Sequence, residues 1–205
     1  RTQSRKTLAV ILVRLMNIEQ IFKNIETHYL ALSRECRDEL AMVSKILTID
    51  KETKIVTEGQ YADKSYFIAK GCARAFYLKA GRDITDWFAF ENDFICSINS
   101  FFLDIPSPHF IEVLETSLLL EISRDKAIHL SEKYRDFDRL NKMVITKTML
   151  QQQHRIASLQ FETAIPKYNN ILKTRPDTTQ RVTLTYIASY LGITLETLSR
   201  IRNPK

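Results

Sequence analysis

Glu196 and Arg200 stand one helical turn apart in Leu195–Arg202, L-E-T-L-S-R-I-R, and their types and spacing suit the edges of base pairs. A guanidinium can donate two hydrogen bonds to the O6 and N7 of guanine, and a carboxylate can accept one from the amino group of cytosine. A solvated ion pair is the other use of this spacing, open to any surface helix. The residues upstream favour the first use. Thr183–Arg202 reads T-L-T-Y-I-A-S-Y-L-G-I-T-L-E-T-L-S-R-I-R. Thr183 or Thr185 can cap a helix through Leu191, Gly192 supplies a left-handed turn, and Thr194 caps a second helix. Ile187, Leu191, Ile193, Leu198 and Ile201 provide the apolar contacts between the two, with the small Ala188 where they cross. This spacing of alanine, glycine and apolar residues predicts a helix-turn-helix whose second helix enters the major groove. Thr194, Thr197 and Ser199 then share an exposed face with Glu196 and Arg200. Arg181, Thr183, Thr185, Arg202 and Lys205 are placed for phosphates, which position a protein on DNA without specifying sequence.

Other chemistries lack their residues. Cys36, Cys72 and Cys96 stand far apart with no C-x-x-C pair, which argues against a zinc site, an all-cysteine iron–sulfur cluster or a disulfide scaffold. They read as buried free thiols of a cytoplasmic protein. His28, His109, His129 and His154 are dispersed, each a surface or satisfied histidine. An enzyme built on a cupin-like barrel needs clustered His and Glu ligands, and His109 is the only histidine in the strand-rich region. No catalytic residue, metal or cofactor is therefore expected.

The charge distribution agrees with a nucleic-acid partner. The net charge of +6 divides into +4 over residues 1–15, −3 over 16–150 and +5 over 151–205. A mildly acidic body joined to a basic C-terminal end is what a separate DNA-binding module produces. Apolar residues make up 44% of the 205, enough for a real core in one large domain or two small ones. No run approaches the roughly 18 apolar residues of a membrane span; Leu8–Val13 is closed off by Arg14. Met16 opens a conventional start, so residues 1–15 are expected to be a leader or flexible tail.

The elements that must carry these residues follow from periodicity. Residues 17–47 read helical, with Asn17 as a cap and Ile18, Ile21, Phe22 and Ile25 on one face, then a second helix over Arg34–Leu47 behind Ser33. From 48 to 122 the period shortens. Strands are expected at Lys54–Thr57, Ser65–Ala69, Ala73–Lys79, Ile84–Phe90, Phe94–Ile98, Phe110–Glu115 and Leu118–Ile122, and three of the four glycines fall at the intervening turns. Evenly spaced short strands indicate a sandwich or barrel. A helix from behind Ser123 to Lys133 and a long one from Asp136 to about Phe161 follow. Leu140, Met143, Val144, Met149, Leu150, Ile156 and Leu159 give the long helix an apolar stripe, interrupted by Lys147 and Gln151–Gln153. Such a helix either pairs with a copy of itself or lies across the barrel, and a reading head that suits two-fold symmetry favours pairing.

At this point the chain resembles the cyclic-AMP receptor protein (Crp/Fnr) family of bacterial transcription regulators, over most of residues 20–203. Ile55–Tyr77 is similar to the family's jelly-roll signature, with Gly59 and Gly71 at turns, the long helix resembles the dimerisation helix, and L-E-T-L-S-R-I-R resembles the recognition helix. The resemblance implies an α+β fold with an N-terminal double-stranded β-helix (jelly-roll) domain. Its implied domains are a cyclic-nucleotide-binding-like sensor at 16–135, a connecting and dimerisation helix at 136–161, and a helix-turn-helix domain at 162–205. It assigns base reading to Glu196 and Arg200, and it implies a homodimer on an inverted-repeat operator in double-stranded DNA, with RNA polymerase as a further partner. The sequence departs from the family where cyclic AMP is held. Cys96-Ser97 replaces the family's Gly-Glu, Ser107-Pro108 replaces its Arg-Ser, and no Arg or Lys occurs between Arg82 and Arg124. A buried phosphate without a cation is costly, so the expected small-molecule effector is not cyclic AMP. Cys96, Ser97, Ser107 and Gln152 are the expected lining of its pocket. An effector module that signals by protein contact is the rival reading.

Overall fold

A computed structural model of the chain describes residues 18–203. The expected leader, the Asn17 cap and Lys205 lie outside the described residues. The described residues begin with two helices, α1 (Ile18–His28) and α2 (Arg34–Val43). Eight strands follow: β1 (Lys45–Ile49), β2 (Lys54–Val56), β3 (Lys64–Lys70), β4 (Ala73–Lys79), β5 (Arg82–Ala89), β6 (Phe94–Cys96), β7 (Phe110–Val113) and β8 (Ser117–Ser123). A short helix α3 (Ile98–Leu103) interrupts them. The chain closes with α4 (Arg124–Lys133), α5 (Arg135–Phe161), α6 (Ala164–Thr174), α7 (Thr178–Arg181), α8 (Leu184–Leu191) and α9 (Leu195–Arg202). No helix among the described residues is long and apolar enough to cross a membrane.

The strands form two four-stranded antiparallel sheets, ordered β1-β8-β3-β6 and β2-β7-β4-β5. Side chains alternate across a strand, and β3 uses both faces. Tyr66 and Ile68 join Ala75, Ile111, Val113 and Leu119 in the core between the sheets. Phe67 and Ala69 join Leu118, Leu120 and Ile122 of β8 beneath a helical layer built from Ile21, Phe22, Ile25, Leu40, Leu130, Phe137 and Leu140. Burial on both faces is why S-Y-F-I-A and S-L-L-L-E-I read as continuous apolar runs. At the β3–β4 turn, Gly71 has φ +110°, and a Cβ there would lie 2.1 Å from the Ser117 Oγ and 2.8 Å from its Cα. Only glycine fits this approach.

The structure corrects the sequence reading at two places in this region. Lys45–Ile49 is a strand and not the end of a helix reaching Leu47: Ser44 is extended, and β1 pairs along its whole length with β8. The backbone groups on that side of β8 need partners, and this demand overrides a helical pattern. The strand expected over Phe94–Ile98 stops at Cys96, because Ser97 enters α3.

Glu39 ties α2 to α4, accepting hydrogen bonds from Lys133 at 2.6 Å and Tyr134 at 2.7 Å and lying 2.8 Å from the His129 ring. The Lys133 hydrogen bond, followed by those of Tyr134 and His129, holds its pKa down at about 2, from 4.5. A depressed carboxylate contributes stability that is full above its unfolded value and lost as pH falls through the folded one. Glu39→Gln should therefore lower the melting temperature at pH 7 and flatten its acid-induced loss between pH 4.5 and about 2, where variant and wild type converge. An acid profile unchanged by the substitution would remove Glu39 from that role.

Candidate nucleic-acid interface

The C-terminal helices α8 and α9 meet at Gly192, which has φ +66° and donates its amide to the Ser189 carbonyl at 3.1 Å. The Ile193 amide reaches back to the Ala188 carbonyl at 3.0 Å, closing the helix end in the left-handed manner a glycine allows. Thr194 then caps α9, its hydroxyl accepting from the Thr197 amide at 3.1 Å. Ile187, Ala188, Leu191 and Leu198 are buried together, so α9 is seated on α8 by one apolar face. On the opposite face the Arg200 guanidinium donates to Glu196 at 3.0 Å, with side chains 74% and 84% exposed. A planar fork pre-aligned by a carboxylate one turn away can meet a bidentate acceptor with little loss of rotamer entropy. Thr183, Thr185, Thr194, Ser199 and Arg202 are exposed and Thr197 is half-buried.

Arg181 is placed differently from these residues. Its guanidinium is caged by Glu91 (2.7 and 2.9 Å), Asp177 (2.8 Å) and Glu115 (3.1 Å from Nε). The side chain is only 18% exposed. Burial works against its charge, and the three carboxylates outweigh burial and raise its pKa. In this arrangement its donors are taken up by carboxylates and not open to a phosphate, and two of those partners, 90 and 66 residues away in the chain, are brought there by the fold.

Helix α8 docks directly on the outer face of the second sheet. Ser189 of α8 accepts a hydrogen bond from the Thr85 amide at 2.9 Å and donates to the Asp83 carbonyl at 3.0 Å. Beneath α8 lies Arg74, 1% exposed. It donates to Glu112 at 2.7 Å, Asp83 at 2.6 Å and Thr85 at 2.9 Å. The rings of Phe76 and Tyr186 lie 4.0 and 3.4 Å from its guanidinium carbon. Sequence reasoning passed over Arg74, since an arginine in a strand that reads A-R-A-F-Y-L-K looks solvent-facing until a helix covers it.

Two of the four expected effector-pocket residues, Ser97 and Ser107, meet, while Cys96 packs into the core beneath the helical layer. Cys96 ends β6 and Ser97 stands at the N-cap of α3, and the Ser97 hydroxyl donates to Ser107 at 2.8 Å, both serines being buried. Ser107 in turn donates to the His109 carbonyl at 2.8 Å. Burial pushes the Cys96 thiol up to about 12, so it is a neutral thiol at physiological pH. Gln152 stands apart, in a groove on α5 lined by residues of that helix alone, among them Met149, Ile156 and Phe161. His109 belongs near the serines instead. It is 6% exposed, the Tyr77 ring meets it edge-on at 5.4 Å, and both ring nitrogens are buried without a hydrogen-bond partner. Burial lowers its pKa more than Asp86 and Glu58 raise it. It is therefore neither the surface nor the satisfied histidine that its isolation in the sequence suggested. No group of three or more metal-ligating side chains occurs among the described residues.

The sequence pattern of the cyclic nucleotide-binding domain family matches residues 46–134. No curated protein sequence matches the chain. Solved structures share its fold. FixK2 from Bradyrhizobium japonicum is 20% identical over 78% of this chain and 83% of its own, with a TM-score of 0.66. The c-di-GMP-responsive global regulator CLP of Xanthomonas campestris is 15% identical over 82% and 89%, with a TM-score of 0.63. The catabolite activator protein of Thermus thermophilus is 16% identical over 84% and 83%, with a TM-score of 0.54. Residues 46–134 thus match the cyclic nucleotide-binding domain pattern, and the chain shares its fold with FixK2, CLP and the catabolite activator protein.

Proposed function

We propose that this protein is a sequence-specific DNA-binding transcription regulator that acts as a homodimer. The observation that carries the reading is the exposed Glu196–Arg200 pair on a helix capped by Thr194 and seated through Leu198. Residues 162–205 form the reading head, 136–161 the connecting helix and 16–135 the sensor. The connecting helix α5 supplies the dimer contact, since Met143, Met149, Leu150, Ile156 and Phe161 all expose apolar surface along it. Two such helices side by side bury these residues and set the recognition helices at half-site spacing, about 34 Å. An effector near the roll shifts the pair and with it that spacing. RNA polymerase is the partner through which a bound dimer acts on transcription.

Arg200→Ala tests the reading. It should lower affinity for the cognate site by about 1–3 kcal/mol while nonspecific binding stays largely intact. Equal loss on every sequence, or DNA affinity that is weak and indifferent to Arg200, favours a module that signals by protein contact. The effector is not cyclic AMP. Ser97 and Ser107 satisfy one another where the family's phosphate-binding groups stand, and the segment between Arg82 and Arg124 brings no cation to offset a phosphate. Calorimetry with cyclic AMP and cyclic GMP should show no binding at micromolar concentrations, and saturable heat there would sink this part of the proposal.

A further inference from the structure

The β5–β6 turn, residues 90–93, gathers cations from three helices. Glu91 holds Arg181 of α7 and accepts the Gly71 amide at 2.8 Å. Asp93 accepts from Lys147 of α5 at 3.0 Å and from Arg175, at the end of α6, at 3.3 Å. The Arg175 guanidinium also reaches the Glu91 carbonyl at 3.3 Å. Phe90 lies beneath both arginines, 5.2 and 5.4 Å from ring centroid to guanidinium carbon, and packs with Tyr168, Val182 and Leu191. Glu115, just past β7, completes the cage around Arg181. Two of the basic residues that give the C-terminal segment its positive charge are thus turned inward, onto carboxylates of the roll.

A carboxylate offers an arginine the same planar bidentate acceptor as a phosphate does. The geometry points to an ionic latch: the acidic turn with Glu115 serves as an internal stand-in for the DNA backbone, so that docking of the C-terminal helices on the roll and phosphate contact by Arg175 and Arg181 exclude each other. The inference rests on the DNA-binding reading only in taking duplex phosphate as the competing anion. The turn runs straight into β6 and the Cys96–Ser97 corner. A displacement at that corner would therefore be delivered to the residues that hold the latch.

Salt dependence of binding to a random-sequence duplex tests this, since the slope of log K against log salt counts phosphates engaged. In the wild type, each arginine that moves to a phosphate leaves a carboxylate that takes up a cation, so little net release is seen. In Glu91→Gln/Glu115→Gln only the half-exposed Asp177 still pairs with Arg181, so most of that uptake is removed and the slope should steepen by up to about 0.9 for Arg181. Adding Arg181→Met to that background should return the slope towards wild type. Glu35→Gln/Asp38→Asn removes the same charge from the surface of α2 and should leave the slope unchanged. Equal slopes for the latch and control variants, or no reversal by Arg181→Met, overturn the latch. If the double carboxamide variant melts below the assay temperature, Glu115→Gln alone carries the test with a smaller steepening. A failure of base reading leaves these measurements intact, because the probe contains no operator. Absence of any duplex binding at low salt overturns both proposals.

Discussion

Arg74→Met should lower the stability of the protein by about 3–5 kcal/mol, the range seen when one partner of a buried ion pair is removed. Arg74 sits directly opposite Glu112 in the β4–β7 register, and the Glu112 side chain is only 10% exposed. Asp83 and the Thr85 hydroxyl share the same guanidinium. Methionine fills much of the volume and leaves a buried carboxylate with no cation, under a helix that excludes water. For a chain of this size the loss corresponds to a fall in melting temperature of roughly 6–20 °C, at 2–4 °C per kcal/mol. Much of that should return when Glu112→Gln and Asp83→Asn are added, because a neutral network needs no buried counter-charge. A single variant that melts within about 2 °C of wild type, below the smallest shift this range allows, would show that solvent reaches Glu112 and that α8 does not seal the sheet. Because Tyr186 lies over the guanidinium, the same variant should loosen α8 before it loosens the sheet between β3 and β8.

Leu198→Ala is expected to act on the reading head alone. Leu198 is fully buried among Tyr168, Val182, Ile187, Ala188 and Leu191, and truncating such a leucine costs about 2–5 kcal/mol. The helix it anchors is the last of the described chain and packs chiefly on α8 and α6. Terminal elements with few partners open locally, at a free energy below that of global unfolding. The loss should therefore appear as a fall of at least roughly 30-fold in amide-exchange protection across α9, with β3 and β8 much less affected, since each 1.4 kcal/mol is tenfold. Specific DNA binding should be lost with it, although Glu196 and Arg200 remain in place chemically. Protection that falls equally in α9 and in the sheets would mean that the head and the roll unfold as one unit.

These two residues mark the division between local and distant information. What the sequence determined by itself were features whose cause lies within a few neighbours. The strand Ala73–Lys79, the helix ending at Lys133 and the long helix reaching Phe161 were all legible from period and punctuation. So was the turn at Gly192, whose positive φ is a property of one residue and the helix end before it. The α6 and α7 helices were not legible: A-I-P-K-Y-N-N carries a proline in its first turn and two asparagines, and α7 is four residues long. The β1 strand was hidden for the opposite reason, since its residues continue a helical pattern and only β8 makes them a strand.

Only the tertiary structure decided which charges are free. Arg181 and Arg200 are the same residue type, both at the C-terminal ends of short helices and both with a carboxylate four residues earlier. One is 18% exposed and enclosed by carboxylates 66 and 90 residues away, while the other stands 74% exposed. Spacing along a chain specifies what a side chain can reach within one or two turns. The field that fixes its charge, burial and partners is set by whatever the fold brings within about 4 Å, and in low dielectric those contacts outweigh the local ones.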